Sequence, residues 1–263
     1  MSTLNAAVKE VNNKGNLALM IYAIPNFPDP DTYQKTLDIL NNNPHVTIIE
    51  TTFPVTNQFS EYANKTIQKA HLQAAKFADG QSMLEKLQAF HKPSVCVLYQ
   101  ETFDALGYET VLQKMQGKID GLLFEWILPD VENYAYSFER YGIELIQCVD
   151  PWMTKQEIKK YLSLAIDEPI IYLASATMTG GELFSGEKID SCVQSIKEYR
   201  PKAKIFAGFG IKTAVDINKL SRIKGLDGII IGTAFLEAMA QGAEQVDTFL
   251  GEITPALINT FKT

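Results

Sequence analysis

Eight short apolar runs recur along the chain: 17–23, 46–50, 94–99, 121–127, 144–149, 169–174, 204–208 and 227–232. Most lack the two-residue alternation of a half-exposed strand, which is the pattern of strands covered on both faces. Between them lie segments with helical spacing of apolar positions, such as 31–43, 82–90, 154–166 and 190–199. Eight alternating units predict a parallel α/β architecture closed into a (β/α)8 barrel, the TIM barrel, rather than an open sheet. The leading stretch 2–13 reads as an extra N-terminal helix that closes the barrel floor, and 245–261 as a terminal helix on its wall. The longest interval, Thr51 to Pro93, exceeds one helix and predicts a substrate-side loop plus an additional helix. No linker or shift of composition divides the chain, so one barrel domain over residues 1–263 is expected.

Composition changes this picture little. At 263 residues the length suits one such barrel, and 46% hydrophobic with 21% charged residues is ordinary for a globular protein. The net charge of −7 gives no basic face for nucleic acid, and no apolar run approaches the roughly 20 residues that span a bilayer. The N-terminus has no basic segment followed by an apolar core, so a cytoplasmic protein is expected, acting on a metabolite or another protein. Cys96, Cys148 and Cys192 are odd in number and far apart, without a C-x-x-C pair, and predict neither disulfide nor metal site.

The candidate chemistry lies where strands end. AGFGIK (207–212) closes the seventh run and IIIGTAF (229–235) the eighth. Glycine turns there bare backbone N–H groups to one phosphate, which marks Phe209, Gly210, Gly232 and Thr233 as a phosphate site, joined by Gly180 and Gly181 after strand six. The ligand implied is a small phosphate ester. Glu50 ends the second run and is a candidate general acid or base at the barrel mouth. Glu61, in the following loop, supplies a second carboxylate or else starts a helix with Ser60 as its cap. The Gly-, Ser- and Thr-rich segment 175–188 suits a lid, with Thr179 placed to reach a site carboxylate on closure. Phe53, Tyr99, Phe124, Trp126 and Tyr172 are aromatic candidates for a flat pocket, while His45, His71 and His91 read as structural or surface residues.

With these residues in place, the chain resembles the tryptophan synthase α subunit and stand-alone indole-3-glycerol-phosphate lyases from about Leu17 to Gly242. The features that carry the resemblance are the P-D-P of NFPDPD (26–31), IIE ending at Glu50, YLASATMTG (172–180), AGFGIK and IIIGTAF. It implies retro-aldol cleavage of indole-3-glycerol phosphate to indole and glyceraldehyde 3-phosphate, without metal or organic cofactor. Glu50 matches the family's catalytic glutamate. The family's loop P-F-S-D-P-x-A-D-G-P carries an aspartate that polarises the indole N–H; here that loop reads FPVTNQFSEYAN (53–64), and counting from Glu50 puts Glu61 in its place. The aspartate near the end of strand four has no equivalent in FEWILPD (124–130). A β-type subunit is the implied partner. Two further readings stay open: a divergent barrel enzyme for another phosphorylated substrate, and a non-catalytic regulatory subunit that binds a phosphate ligand.

Overall fold

The computed structural model describes residues 2–87, 89–124, 140–163 and 167–258. Eight parallel strands, β1 (Ala18–Tyr22), β2 (Val46–Thr52), β3 (Ser94–Leu98), β4 (Gly121–Phe124), β5 (Glu144–Val149), β6 (Ile170–Ala174), β7 (Lys204–Gly208) and β8 (Gly228–Ile231), pair in chain order and close on β1. Nearly every strand residue is buried, as the unalternating apolar runs required. β2 runs two residues past the predicted end, so Glu50 lies inside the strand, opposite Tyr22 of β1 in register.

Among the described residues, the helices are α1 (Thr3–Asn13), α2 (Pro30–Asn42), α3 (Lys65–Ala74), α4 (Gly80–Leu87), α5 (Gln100–Leu106), α6 (Tyr108–Met115), α7 (Lys155–Leu162), α8 (Gly186–Tyr199), α9 (Ala214–Leu220), α10 (Thr233–Met239) and α11 (Ala243–Ile253). Local chemistry sets their starts: Asp29 caps α2, with Pro30 at its first position, and Thr154 with Glu157 forms a capping box on α7. The interval after β2 holds both a loop and an extra helix, as expected, because α3 and α4 both precede β3. The predicted terminal helix stops at Ile253 and tightens into a 3-10 turn over Thr254–Leu257, where Pro255 cannot continue the α-helical bonding.

α1 seals the barrel at the N-terminal ends of the strands. Ser2 caps it, and its buried Leu4 and Val8 fill the floor, each worth about 1.5–3 kcal/mol relative to exposure. Asn5 Nδ2 donates to the Glu168 carbonyl at 3.0 Å, and Asn12 Nδ2 to the Asp227 carbonyl at 2.8 Å. Asp227 itself accepts from Lys197 Nζ at 2.9 Å, Lys204 Nζ at 2.7 Å and the Ile205 amide at 3.0 Å. Replacing it with alanine strands two largely buried ammonium groups, so Asp227→Ala is expected to cost about 3 kcal/mol in urea unfolding. A midpoint equal to the parent's would refute that account of the floor.

Candidate functional site

At the opposite end, the C-terminal ends of the strands surround a cavity, the place where a barrel of this kind binds small molecules. Its wall is apolar and partly aromatic: Val97 and Tyr99 from the third βα unit, Leu123 from β4, Tyr172 from β6 and Ile230 from β8. Gly180, Gly210, Gly232 and Thr233 lie together in the lining, with Phe209 beside them. The three loops that supply these residues follow β6, β7 and β8, so separate parts of the sequence converge on one polar end.

Local geometry explains this end. Ser175 Oγ donates to the carbonyls of Gly208 and Phe209, which fixes the turn after β7. That turn holds Phe209 at φ 72°, a left-handed conformation that costs a non-glycine residue about 1–2 kcal/mol. Gly208 is needed for another reason: a Cβ there would clash with the Tyr172 ring, which covers it. Gly181 does not line the cavity; its carbonyl lies behind Gly210, 2.9 Å from where a Cβ at that position would be.

Glu50 is buried, lines the cavity, and is the one carboxylate among the described lining residues. Burial, followed by the neighbouring Glu50 charge, pushes the Cys96 thiol well up and leaves it an inert core residue. Glu61 is exposed and lies outside the lining, which corrects its expected place as a second site carboxylate. Nor does it start a helix: α3 begins at Lys65 with Asn64 as cap, and Ser60 Oγ instead accepts from the Tyr62 amide at 3.0 Å. Its carboxylate instead accepts a hydrogen bond from the neighbouring Tyr62 phenol, a partner outside the cavity lining. Glu61→Gln is therefore expected to change kcat/KM by less than about threefold, the scale of a surface substitution, in a steady-state assay.

Asn64, a residue the sequence pattern did not single out, joins the loops over the cavity. Its amide donates to Thr179 Oγ1 at 2.9 Å, and its Nδ2 donates to the Thr179 carbonyl at 2.9 Å and Thr233 Oγ1 at 3.2 Å. Thr179 Oγ1 in turn donates to the Tyr62 carbonyl at 2.8 Å. Thr179 thus lines the cavity, held by the Asn64 amide and the Tyr62 carbonyl. Glu101 secures the same loop from outside, accepting from the amides of Thr56, Asn57 and Gln58. Burial alone would raise its carboxyl, but those amide bonds leave it below the ordinary glutamate value.

Of the other aromatic candidates, Tyr99 and Tyr172 line the cavity, while Phe124 stacks on Phe103 at 4.8 Å in a separate core cluster that also takes Phe53. Trp126 lies outside the described residues. Tyr22 and His71 are gains over the sequence reading. Tyr22 lines the cavity beside Glu50, and its Oη lies 3.0 Å from Nε2 of the fully buried His71. Among the described residues, no group of three or more His, Cys, Asp or Glu side chains is arranged to hold a metal ion.

Known proteins share this fold. The model of the family described as tryptophan synthase alpha chain matches residues 8–257. The chain belongs to the tryptophan synthase alpha chain family. Among curated members, that of Caldicellulosiruptor bescii is 26% identical over 270 residues, covering 98% of this chain and 99% of its own. The Arabidopsis thaliana member is 25% identical over 268 residues, covering 97% and 96%. A solved chain from Aquifex aeolicus superposes with TM-score 0.86 at 22% identity over 98% of this chain and all of its own, and tryptophan synthase from M. tuberculosis with TM-score 0.82 at 17% identity and the same coverage. At such identities the superpositions speak for the barrel. Of the two carboxylates singled out in the sequence, Glu50 lies in the cavity and Glu61 outside its lining.

Proposed function

We infer that this chain is a carbon–carbon lyase that cleaves indole-3-glycerol phosphate to indole and glyceraldehyde 3-phosphate. The observation that carries the reading is one cavity with a buried carboxylate, aromatic walls and a glycine-rich end, in a member of this family. The phosphate is assigned to Gly180, Phe209, Gly210, Gly232 and Thr233, and the ring to the wall of Val97, Tyr99, Leu123 and Tyr172. Glu50 is assigned the proton traffic. It takes the proton from the hydroxyl on the carbon bonded to the ring; that oxygen becomes the aldehyde oxygen as the carbon–carbon bond breaks, and ring C3 receives a proton. The balance is one proton moved from oxygen to carbon, with no water consumed, which a single carboxylate can accomplish.

The reading takes residues 1–263 as one barrel domain and places it in the cytoplasm. No helix among the described residues is long and apolar enough to cross a membrane. A β-type subunit is the proposed partner, docking on the cavity face; family membership and the exposed Trp152 and Met178, on loops of that face, support it. Indole release by the purified chain, with and without a β subunit, tests both parts. Release establishes the reaction, and faster release with the β subunit establishes the partnership. Binding of the phosphate ligand with no indole under either condition would instead favour a different substrate or a regulatory role.

A further inference from the structure

We propose that Tyr22, held by His71, is a substrate-contacting hydrogen-bond donor, meeting the glycerol hydroxyl whose oxygen becomes the aldehyde. The identity of that hydroxyl rests on the lyase reading above; the donor geometry does not. Tyr22 ends β1 directly opposite Glu50, and both side chains line the cavity. The base of its ring lies beside the glycine end: a Cβ on Gly232 would be 3.5–3.8 Å from Tyr22 ring and Cβ atoms. Its hydroxyl reaches His71 on α3. The side chain therefore runs from beside the glycine end, along the cavity it lines, to His71.

The hydrogen-bond network determines the sense of the contact. His71 Nδ1 accepts from the Val55 amide at 3.1 Å, and burial pushes the imidazole down to about 3, so the ring is neutral. A neutral imidazole carries one N–H; with Nδ1 occupied as an acceptor, that proton is on Nε2 and is donated to Tyr22 Oη. His71 cannot serve as a base for the phenol, because Nε2 is already protonated and Nδ1 faces an N–H group. Edge-on contacts with Tyr99, centroids 4.8 Å apart, and Phe59, at 5.8 Å, fix the imidazole plane. Toward His71 the phenol oxygen accepts, so in its other contact it is a donor, and a hydroxyl that accepts in this way is the stronger donor.

Tyr22 lines the same cavity as its register partner, the carboxylate that takes the hydroxyl proton. As Glu50 removes it, negative charge grows on the substrate oxygen, and a fixed phenol O–H stabilises the charge without moving a proton of its own. Tyr22 is in this account a catalytic residue, and His71 a positioning residue that acts through it.

The test compares the parent chain with Tyr22→Phe, His71→Leu, His71→Gln and the doubles with Tyr22→Phe, each checked for its urea midpoint. Tyr22→Phe is expected to lower kcat about ten- to a hundredfold, with KM changed less than about threefold because the phosphate supplies most of the binding. His71→Leu is expected to show a similar loss in the parent and less than about a twofold further loss beside Tyr22→Phe, while His71→Gln, which keeps an N–H donor, recovers part of it. A Tyr22→Phe chain within twofold of the parent, or a His71→Leu loss undiminished beside Tyr22→Phe, would overturn the proposal.

A binding arm separates this outcome from failure of the lyase reading. On a Glu50→Gln background, indole-3-glycerol phosphate and 3-(indol-3-yl)propyl phosphate, which lacks the glycerol hydroxyls, are titrated with and without Tyr22→Phe. A two- to threefold loss of affinity for the hydroxylated ligand alone, within the small KM change expected above, upholds the contact even if the parent releases no indole. Equal affinities for both ligands across the pair, or failure to bind either one, refutes the contact.

Discussion

Glu50→Gln is expected to reduce the rate of indole release about a thousandfold, with the affinity for inorganic phosphate unchanged within about twofold. Glutamine keeps the volume and one acceptor oxygen of the buried side chain, so the core around β2 has no cavity to absorb. What disappears is a group that both takes and returns a proton. Among the described residues lining the cavity, Glu50 is the sole carboxylate, and the thiol nearest it by strand pairing, Cys96, is held protonated by burial. No second carboxylate stands ready to assume the role. Stopped assays of indole release and phosphate inhibition on the same preparation separate proton transfer from ligand binding; retention of a tenth of the parent rate would exclude Glu50 as the proton carrier.

The second large effect is at the phosphate end. Gly180 has φ 65°, and a Cβ there would lie 2.5 Å from Asn64 Nδ2 and 3.1–3.3 Å from the Thr233 side chain. An alanine is therefore strained in its own backbone and displaces the one side chain that ties Thr179 to Thr233. Together these costs are expected to reach about 2.7 kcal/mol, a hundredfold rise in KM for the phosphorylated substrate. Gly186→Ala is the matched control: no atom lies within 4 Å of the added Cβ and its φ is ordinary, so KM is expected within about twofold of the parent. Equal behaviour of the two variants would mean that the loop closure seen around Asn64 has no part in holding the ligand.

The chain's order of elements was legible in the sequence because it depends on local periodicity. All eight apolar runs coincide with strands to within a few residues, and α1 closes the floor as its amphipathic pattern predicts. The glycine turns after β7 and β8 were legible for the same reason, since a strand end followed by G-x-G or I-G-T is a statement about neighbouring residues. Glu50 could be placed because its strand fixes which end of the barrel it occupies.

What only the tertiary structure decided is which side chains face one another across loops. Glu61 and Asn64 are three residues apart in one polar loop, yet the fold leaves the first in solvent and threads the second between Thr179 and Thr233. Tyr22 and His71 look like ordinary strand and helix residues until closure of the barrel brings them to 3.0 Å across 49 positions of sequence. Hydrophobic periodicity specifies the face that a residue presents to the core, since burial of apolar surface is non-directional. Hydrogen bonds are directional and short, and their partners are chosen only after strands have paired and loops have packed, so these pairings of polar side chains were decided by the tertiary structure alone.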